Sequence, residues 1–146
     1  MPNLPSETQP LAPLEWALRY RKIEERPFTL ARHKPLEAIY NDPHKHIVVM
    51  KPAQVGVSEM AITRVLHALD CGARFWQTDK NGLNVGYLFP TQAALTSFSK
   101  ERFSGVLSEH EHLQGLFQGF DDVTFKQAGA SYLYLRGTQS AASVKS

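Results

Sequence analysis

Apolar positions along the chain fall into short blocks whose spacing predicts helices and strands in alternation. Residues 47–50 form an apolar, largely β-branched run that is typical of a buried strand, and residues 60–69 are apolar on nearly all sides, as in a buried helix. The pattern predicts a second strand over 84–89, ended by Pro90, and then a helix over 92–103. The centre of the chain is therefore predicted to be strand, loop, helix, strand, helix.

Turn-forming residues mark further elements on both sides of this centre. A helix is expected over 13–25, with Pro13 in its first turn and Pro27 just beyond its end. Glycine and polar residues predict a connection over 70–83 that contains a short strand at 75–76. The remaining predicted elements are a helix over 109–117 and two alternating strands, over 123–126 and 132–136, that form a hairpin.

This order of elements implies an α/β domain in which a mostly parallel sheet is flanked by helices and extended by a C-terminal β-hairpin. The chain divides into a proline-rich disordered tail at 1–12, a helical N-terminal segment at 13–42, and a core unit at 43–146. Basic residues between 19 and 26 are interspersed with two glutamates. That pattern favours a solvated helix face over a DNA site.

Composition and charge indicate a globular protein, but they do not indicate a function. At 146 residues, with 42% hydrophobic residues and a mean hydropathy of −0.31, the chain has the size and composition of one globular domain. A net charge of +2 and a pI near 8.7 do not identify a nucleic-acid-binding protein. Cys71 is the only cysteine, so one chain cannot form a disulfide, and no apolar run resembles a membrane span or signal peptide. An intracellular location is expected.

The loop between the first predicted strand and the helix after it is the candidate for chemistry. In the usual phosphate-binding loop, Gly-x-x-x-x-Gly-Lys-Ser/Thr, backbone N–H groups and a helix N-terminus surround the phosphates, the lysine neutralises them and the hydroxyl binds Mg²⁺. This chain has Gly56 and Ser58 at the matching positions. Val57 replaces the lysine, and Lys51 replaces the first glycine.

A lysine at the first position of a nearly closed loop can extend across its mouth and place its ammonium near the β and γ phosphates. Gly56 lets the backbone approach an anion without a Cβ in the way, and Ser58 offers its hydroxyl to a metal from the first helical turn. The residues alone leave a second interpretation open, an ordinary strand-to-helix turn in which Ser58 caps the helix.

Three stretches, in this order, carry a resemblance to a known family. They are Lys-x-Ala-x-Val-Gly-x-Ser at 51–58, then Asn-Val-Gly-Tyr-Leu-Phe-Pro-Thr at 84–91 followed by Phe-Ser-Lys-Glu-Arg-Phe at 98–103, then Leu-Tyr-Leu-Arg-Gly at 133–137 followed by Ser140 and Ser143. Together they resemble the ATPase region of the large terminase subunits of tailed phages, particularly the lambda-like branch. The resemblance extends from about residue 28 to the last residue.

The resemblance implies a P-loop NTPase-like fold and an ATPase that drives viral DNA into procapsids, with ATP and Mg²⁺ as cofactors. Its partners would be double-stranded DNA, the small terminase subunit and the portal protein, with a homo-oligomer also expected, in the host cytoplasm. Ser58 would bind the Mg²⁺. The nucleotide-binding residues would be Lys51, Ala53, Gln54, Val55, Gly56, Val57 and Ser58.

The segment at 28–42 lies where related ATPases place an adenine-recognition element. Phe28, His33 and Tyr40 are candidates for stacking on a purine, although core packing is the favoured role of Phe28 and Tyr40. The glutamine that reads the base edge in the commoner version of this element has no counterpart at an obvious position, which leaves base selectivity open. Thr91 is a candidate DNA or coupling contact at the end of the second strand, and equally a plain helix cap.

Hydrolysis requires a carboxylate that organises the metal and a group that orients the attacking water. Asp121 and Asp122 are the nearest candidates and are predicted to be turn residues, and the acidic pair of the resembled family would follow Ser146. The chain is therefore expected to be an incomplete domain that binds nucleotide weakly without turnover, and whether it is an enzyme stays open. Gln54 stands where the family can place an arginine finger, so that cation would come from elsewhere.

Two other functions stay open. A strand that ends in Pro-Thr also resembles a helicase element, which supports a helicase-like P-loop ATPase fragment, but the displaced lysine does not support it. The lack of an acidic pair supports a non-enzymatic remnant or binding module. His44 and His46 lie in a predicted turn, where two exposed imidazoles are favoured over a metal site because no third ligand is near in sequence.

Overall fold

A computed structural model describes residues 9–53, 55–117 and 122–139. Several residues named above lie outside the described residues, namely most of the predicted tail, Gln54, Asp121, Ser140 and Ser143. The described helices are α1 (Pro13–Tyr20), α2 (Glu37–Tyr40), α3 (Val57–His67), α4 (Ala73–Phe75), α5 (Gln92–Ser97), α6 (Ser104–Leu107) and α7 (Glu111–Leu116). The described strands are β1 (Lys22–Ile23), β2 (Arg26–Pro27), β3 (Asn84–Phe89), β4 (Phe125–Ala128) and β5 (Ser131–Gly137).

Short segments of other helix types connect some of these elements. A 3₁₀ turn at Lys34–Leu36 precedes α2, and π-helical segments at Ala68–Gly72 and Phe98–Phe103 join α3 to α4 and α5 to α6. The fold is a mixed α/β fold, as the order of elements in the sequence predicts. None of the described helices has the length and apolarity needed to cross a bilayer.

The main sheet has three strands in the order β3–β5–β4. β3 runs parallel to β5, with Asn84 opposite Tyr132 and Phe89 opposite Gly137. β4 runs antiparallel to β5, which confirms the predicted hairpin. Because one pairing is parallel and the other antiparallel, the described sheet is mixed, and the prediction of a mostly parallel sheet is wrong.

Residues 47–50, predicted to be a buried strand, form no strand in the described part of the chain. Val48 and Met50 are 96% and 99% exposed, while Val49 packs against a core cluster. No backbone hydrogen bond joins these residues to another described segment. The prediction is wrong because an apolar run becomes a buried strand only where a neighbouring strand pairs with its N–H and C=O groups.

The first helix and the connection after α3 also differ from the predictions. α1 ends at Tyr20, and the chain continues into the β1–β2 pair, where Glu24 (φ 51°) and Glu25 (φ 65°) adopt left-handed conformations in the turn. Phe75, predicted to lie in a short strand, is the last residue of α4. The helix predicted over 13–25 therefore ends earlier than expected, and the connection predicted from residue 70 begins later, because helical structure continues to Phe75.

Buried side chains form two clusters. The larger one includes Leu133 of β5 and Ile62 of α3. Along β5, buried and half-buried residues alternate, as expected of a strand with one face on the core. The smaller cluster joins α1, the segment before the loop and α3, and it includes Phe28, Tyr40 and Met60. The candidate loop therefore lies next to the smaller core.

Candidate functional site

The candidate loop enters α3 through a glycine in a left-handed conformation. Gly56 has φ 82° and immediately precedes the helix. A Cβ at this position would lie 3.3 Å from Leu36 Cδ1, so any other residue would meet both backbone strain and a close neighbour. The backbone itself therefore requires a glycine here.

The first turn of α3 presents backbone N–H groups that have no acceptor within the helix. The first intrahelical bond runs from the Met60 amide to the Gly56 carbonyl (3.0 Å). The amides of Val57, Ser58 and Glu59 precede it and lack helical partners. None of the described side chains caps the helix. The interpretation in which Ser58 caps α3 is therefore wrong, and Ser58 is instead the second residue of the first turn.

A hollow of about 340 Å³ lies beside the loop. Arg32, His33 and Lys51 line it, and most of the remaining lining is apolar. Leu36 and Val49 belong to that apolar part. Lys51 is exposed, and none of the described carboxylates forms an ion pair with it. The hollow therefore combines an apolar wall with uncommitted positive charge.

The structure brings several of the predicted nucleotide-binding residues together. Lys51, Val55 and Val57 line the hollow. Ala53 is exposed, whereas Gly56 and Ser58 are half-buried at the start of α3. Gln54 lies outside the described residues, so the loop is described on both sides of it.

The three candidate adenine contacts occupy different positions. His33 lines the hollow. Phe28 and Tyr40 are 5% and 1% exposed, and their ring centroids lie 5.7 Å apart. Burial raises the pKa of Tyr40 to about 12. Phe28 and Tyr40 thus have the core-packing role that the sequence favoured and do not line the hollow, whereas His33 can meet a ligand there.

Arg64 of α3 holds the segment that forms one wall of the hollow. Its Nη1 donates to the carbonyl oxygens of Ile39 (3.0 Å), Tyr40 (3.2 Å) and Asp42 (3.2 Å). Its Nη2 donates to the Asp42 carbonyl as well (3.2 Å). These carbonyls lie at or just beyond the C-terminal end of α2. One guanidinium therefore ties the wall of the hollow to the helix that carries Ser58.

A buried ion network, which no motif in the sequence predicts, starts in the first turn of α3. The Arg21 side chain is 0% exposed and donates to Glu59 Oε2 (2.8 Å) and Glu109 Oε2 (3.0 Å). Its Nη1 donates to Thr63 Oγ1 (2.8 Å). The other oxygen of Glu59 accepts a hydrogen bond from Arg102. Both oxygens of the Glu59 carboxylate are therefore occupied.

The pKa values in this network follow from its pairing. Burial alone would raise the pKa of Glu59, but hydrogen bonds from Arg102 and Arg21 outweigh it and hold that pKa below its ordinary value of 4.5. The prediction of a solvated face is wrong for Arg21, because its side chain is fully buried. Its acidic partners lie 38 and 88 positions away in the chain. No spacing in the sequence could have indicated them.

The other predicted contacts have simpler roles. Thr91 Oγ1 accepts a hydrogen bond from the Ala94 amide (3.0 Å), which confirms it as the cap of α5, while its role as a DNA contact stays a prediction. His44 and His46 are exposed, as predicted, and His44 Nδ1 pairs with Asp42 Oδ1 (2.6 Å). Among the residues placed by the structure, no group of three or more His, Cys, Asp or Glu side chains could hold a metal ion.

Comparison of the chain with protein-family models, with curated proteins and with solved structures finds no match in any of the three. The site is therefore interpreted from its own geometry. That geometry consists of a left-handed glycine, a helix N-terminus that no described side chain caps, and an adjacent hollow with positive charge.

Proposed function

We propose that this chain is the nucleotide-binding part of a DNA-packaging ATPase of the kind found in the large terminase subunits of tailed phages. The entry of the loop into α3 supports this most directly, because Gly56 leads into first-turn amides that have no helical acceptor and no side-chain acceptor among the described residues. Helix N-termini of this kind bind phosphate, since their N–H groups and the helix dipole both favour negative charge.

Lys51 and Ser58 supply the remaining phosphate and metal contacts in this proposal. Lys51 lines the hollow beside the loop, and its ammonium has no carboxylate partner among the described residues. It can therefore neutralise phosphate charge from the opposite side of the loop. The Ser58 hydroxyl, in the same turn as the free amides, fits a ligand of Mg²⁺, which would offset phosphate charge when bound with ATP.

The purine of the nucleotide would occupy the hollow. A volume of about 340 Å³ with a largely apolar wall suits a flat aromatic ring. His33 is the candidate stacking partner there, while Phe28 and Tyr40 support the wall from within the core. Arg32 adds a second cation to the lining.

The carboxylate nearest to Ser58 in the chain does not serve hydrolysis. Glu59 is held by Arg21 and Arg102, so it is not free to orient a water molecule. Asp122 is exposed, and its amide donates to the Phe125 carbonyl in the turn before β4. We therefore propose weak ATP binding without appreciable turnover for this chain.

The commitment of Glu59 also favours a second candidate, a non-enzymatic binding module with the same nucleotide site. The helicase-like alternative gains no support, because the hydroxyl of Thr91 caps α5. In the packaging function the chain would act in the host cytoplasm, with double-stranded DNA, the small terminase subunit and the portal protein as partners and with further copies of itself.

Binding of a fluorescent ATP analogue in the presence of Mg²⁺ tests the nucleotide site. Lys51→Ala is expected to weaken binding by about tenfold to a hundredfold, because a charge-assisted hydrogen bond contributes about 1.5–3 kcal/mol. Val57→Ala is the matched control, since Val57 occupies the usual lysine position but carries no charge. Because Val57 also lines the hollow, Val57→Ala should weaken binding slightly, and by much less than Lys51→Ala does. Equal affinity in Lys51→Ala would contradict the displaced-lysine site.

Phosphate release from ATP separates binding from turnover. The unmodified chain should release no more phosphate than the Lys51→Ala variant does. Robust turnover would show that a carboxylate other than Glu59 acts in hydrolysis, and it would exclude the non-enzymatic candidate.

A further inference from the structure

A groove lies on the face formed by α1, the π-helical segment after α3, and residues 9–10. One part of it, about 290 Å³, is lined by Arg19 and Arg74, and the adjoining part, about 400 Å³, is lined by Arg74 and Lys80. The two parts share Gln9, Pro10 and Arg74, so they are continuous. We call it the Arg19–Lys80 groove. It shares no lining residue with the hollow beside Lys51.

The groove contains three cations that no described carboxylate pairs with. Arg19, Arg74 and Lys80 are exposed, and none of them forms an ion pair with a described carboxylate. Arg21 and Arg102 differ from them, because both pair with Glu59. The charges of the groove are therefore available to a ligand.

Among the described residues, Asp70 is the only acid that lines the groove. Its Oδ2 accepts a hydrogen bond from Trp16 Nε1 (2.7 Å) and pairs with His112 Nε2 (2.7 Å). These two donors come from α1 and α7, and the Asp70 side chain is only 16% exposed. The cations consequently dominate what the groove presents to a ligand.

The Tyr20 and Trp16 rings that line the groove are already packed against other side chains. Tyr20 stacks on His112 with ring centroids 4.0 Å apart, and the Arg19 guanidinium lies 5.6 Å from the centre of the Tyr20 ring. Trp16 is 1% exposed. Proteins that bind single strands stack bases on exposed aromatic rings, whereas a duplex presents phosphates outward and keeps its bases paired inside. The groove therefore suits a duplex better than a single strand.

We propose that the Arg19–Lys80 groove binds the phosphate backbone of double-stranded DNA through Arg19, Arg74 and Lys80. The proposal rests on the packaging function for its setting and on the charges of the groove for its ligand. Three cations along a continuous groove match a ligand with several phosphates in a row, and contacts of this kind position DNA without reading its sequence.

Fluorescence anisotropy with a labelled duplex, measured between about 50 and 200 mM KCl, tests this site. The triple variant Arg19→Gln, Arg74→Gln, Lys80→Gln should reduce the slope of log affinity against log salt by about 2–3, because each lost phosphate contact contributes about 0.9. A matched triple, Arg26→Gln, Lys45→Gln, Lys100→Gln, removes the same charge from exposed residues outside the groove. The slope of log affinity against log salt should change in this variant by less than about 0.9, the contribution of one phosphate contact.

Four results would overturn the proposal. Two concern the protein: no duplex binding by the unmodified protein at low salt, or equal loss of binding in both triple variants. Two concern the ligand: a single strand that binds as tightly as the duplex, or inorganic phosphate that displaces the duplex at equal phosphate concentration. The three single variants keep the test valid if the triple unfolds, and each should reduce the slope by about 0.9. ATP binding should be unchanged in the groove triple and DNA binding unchanged in Lys51→Ala, so failure of one site is distinguishable from failure of the other.

Discussion

Two kinds of residue determine the candidate site, a glycine that the backbone requires and side chains that hold buried charge. Gly56 turns the chain into α3, and its missing Cβ leaves room for Leu36. Arg21 carries a full charge in the interior, where it is paired with Glu59 and Glu109. Neither role tolerates a conservative change, since one depends on φ and the other on three hydrogen bonds from one guanidinium.

Gly56→Ala is expected to lower the free energy of unfolding by about 1–2 kcal/mol, because a left-handed conformation is strained for an L residue. It should also weaken ATP binding, because the new Cβ presses on Leu36 beside the loop. Gly129→Ala is the matched control, since Gly129 has φ 57° but no atom within 4 Å of the added Cβ. Urea denaturation should show strain in both variants, and only Gly56→Ala should lose affinity. Unchanged ATP affinity in Gly56→Ala would argue against the site.

Arg21→Met is expected to lower the free energy of unfolding by about 3–5 kcal/mol, because the partly buried Glu109 loses its described ion-pair partner and Glu59 keeps only Arg102. Arg19→Met changes an exposed arginine two positions earlier, and it should change the free energy of unfolding by no more than about 0.5 kcal/mol. Urea denaturation of the two variants measures the difference. Similar values for both would mean that Arg21 is solvated, as its sequence context suggested.

At the scale of elements, α3 organises the site, and the 47–50 segment contributes Val49 and Met50 to the lining of the hollow. α3 carries the free amides at its start, Glu59 in its first turn, and Arg64, which holds the end of α2. The segment at 47–50 has the apolar residues of a strand without a hydrogen-bonded neighbour among the described residues. A helix satisfies its own backbone, whereas a strand depends on another one.

Serine substitutions at Val48 and Met50 test that difference. Each should change the free energy of unfolding by no more than about 0.5 kcal/mol, because both side chains are almost fully exposed. Ile62→Ala, in the buried face of α3, should cost about 2–5 kcal/mol in the same urea experiment. A loss above about 1 kcal/mol in Val48→Ser would show that the segment is buried as a strand after all.

At the scale of the whole molecule, α1 and α3 join the two cores. Trp16 belongs to the larger cluster and its neighbour Ala17 to the smaller one, and the same division separates Ile62 from Met60. Because each of these helices packs in both clusters, unfolding of one cluster also disrupts the packing of the other. The described domain should therefore unfold as one cooperative unit.

His67 makes the stability of this unit depend on pH. Burial lowers its pKa below the ordinary 6.5, and its Nε2 donates to the Leu11 carbonyl at 2.8 Å. The unfolded chain thus gains a proton below pH 6.5 that the folded protein does not, so the free energy of unfolding should fall as the pH drops below 6.5. The slope of the free energy of unfolding against pH approaches about 1.4 kcal/mol per pH unit. The free energy levels off below the lowered pKa of His67.

Urea denaturation across that pH range measures the slope. His67→Gln should flatten it, whereas His46→Gln, which changes an exposed histidine, should leave it unchanged. An unchanged slope in His67→Gln would assign the dependence to another group.

The sequence by itself determined the features that depend on near neighbours in the chain. It predicted β3 as Asn84–Phe89, the cap at Thr91, the C-terminal hairpin and the buried character of α3. Side-chain periodicity and capping are local, so residues a few positions apart are sufficient to decide them.

Only the tertiary structure decided which groups meet across the chain. It buried Arg21 between distant carboxylates, left 47–50 without a described partner strand, placed His33 but not Phe28 or Tyr40 at the hollow, and brought Arg74 and Lys80 beside Arg19. A pattern of apolar residues indicates which face of an element can be buried, but not which other element will cover it. Hydrogen bonds and ion pairs require partners whose positions depend on how all the elements pack.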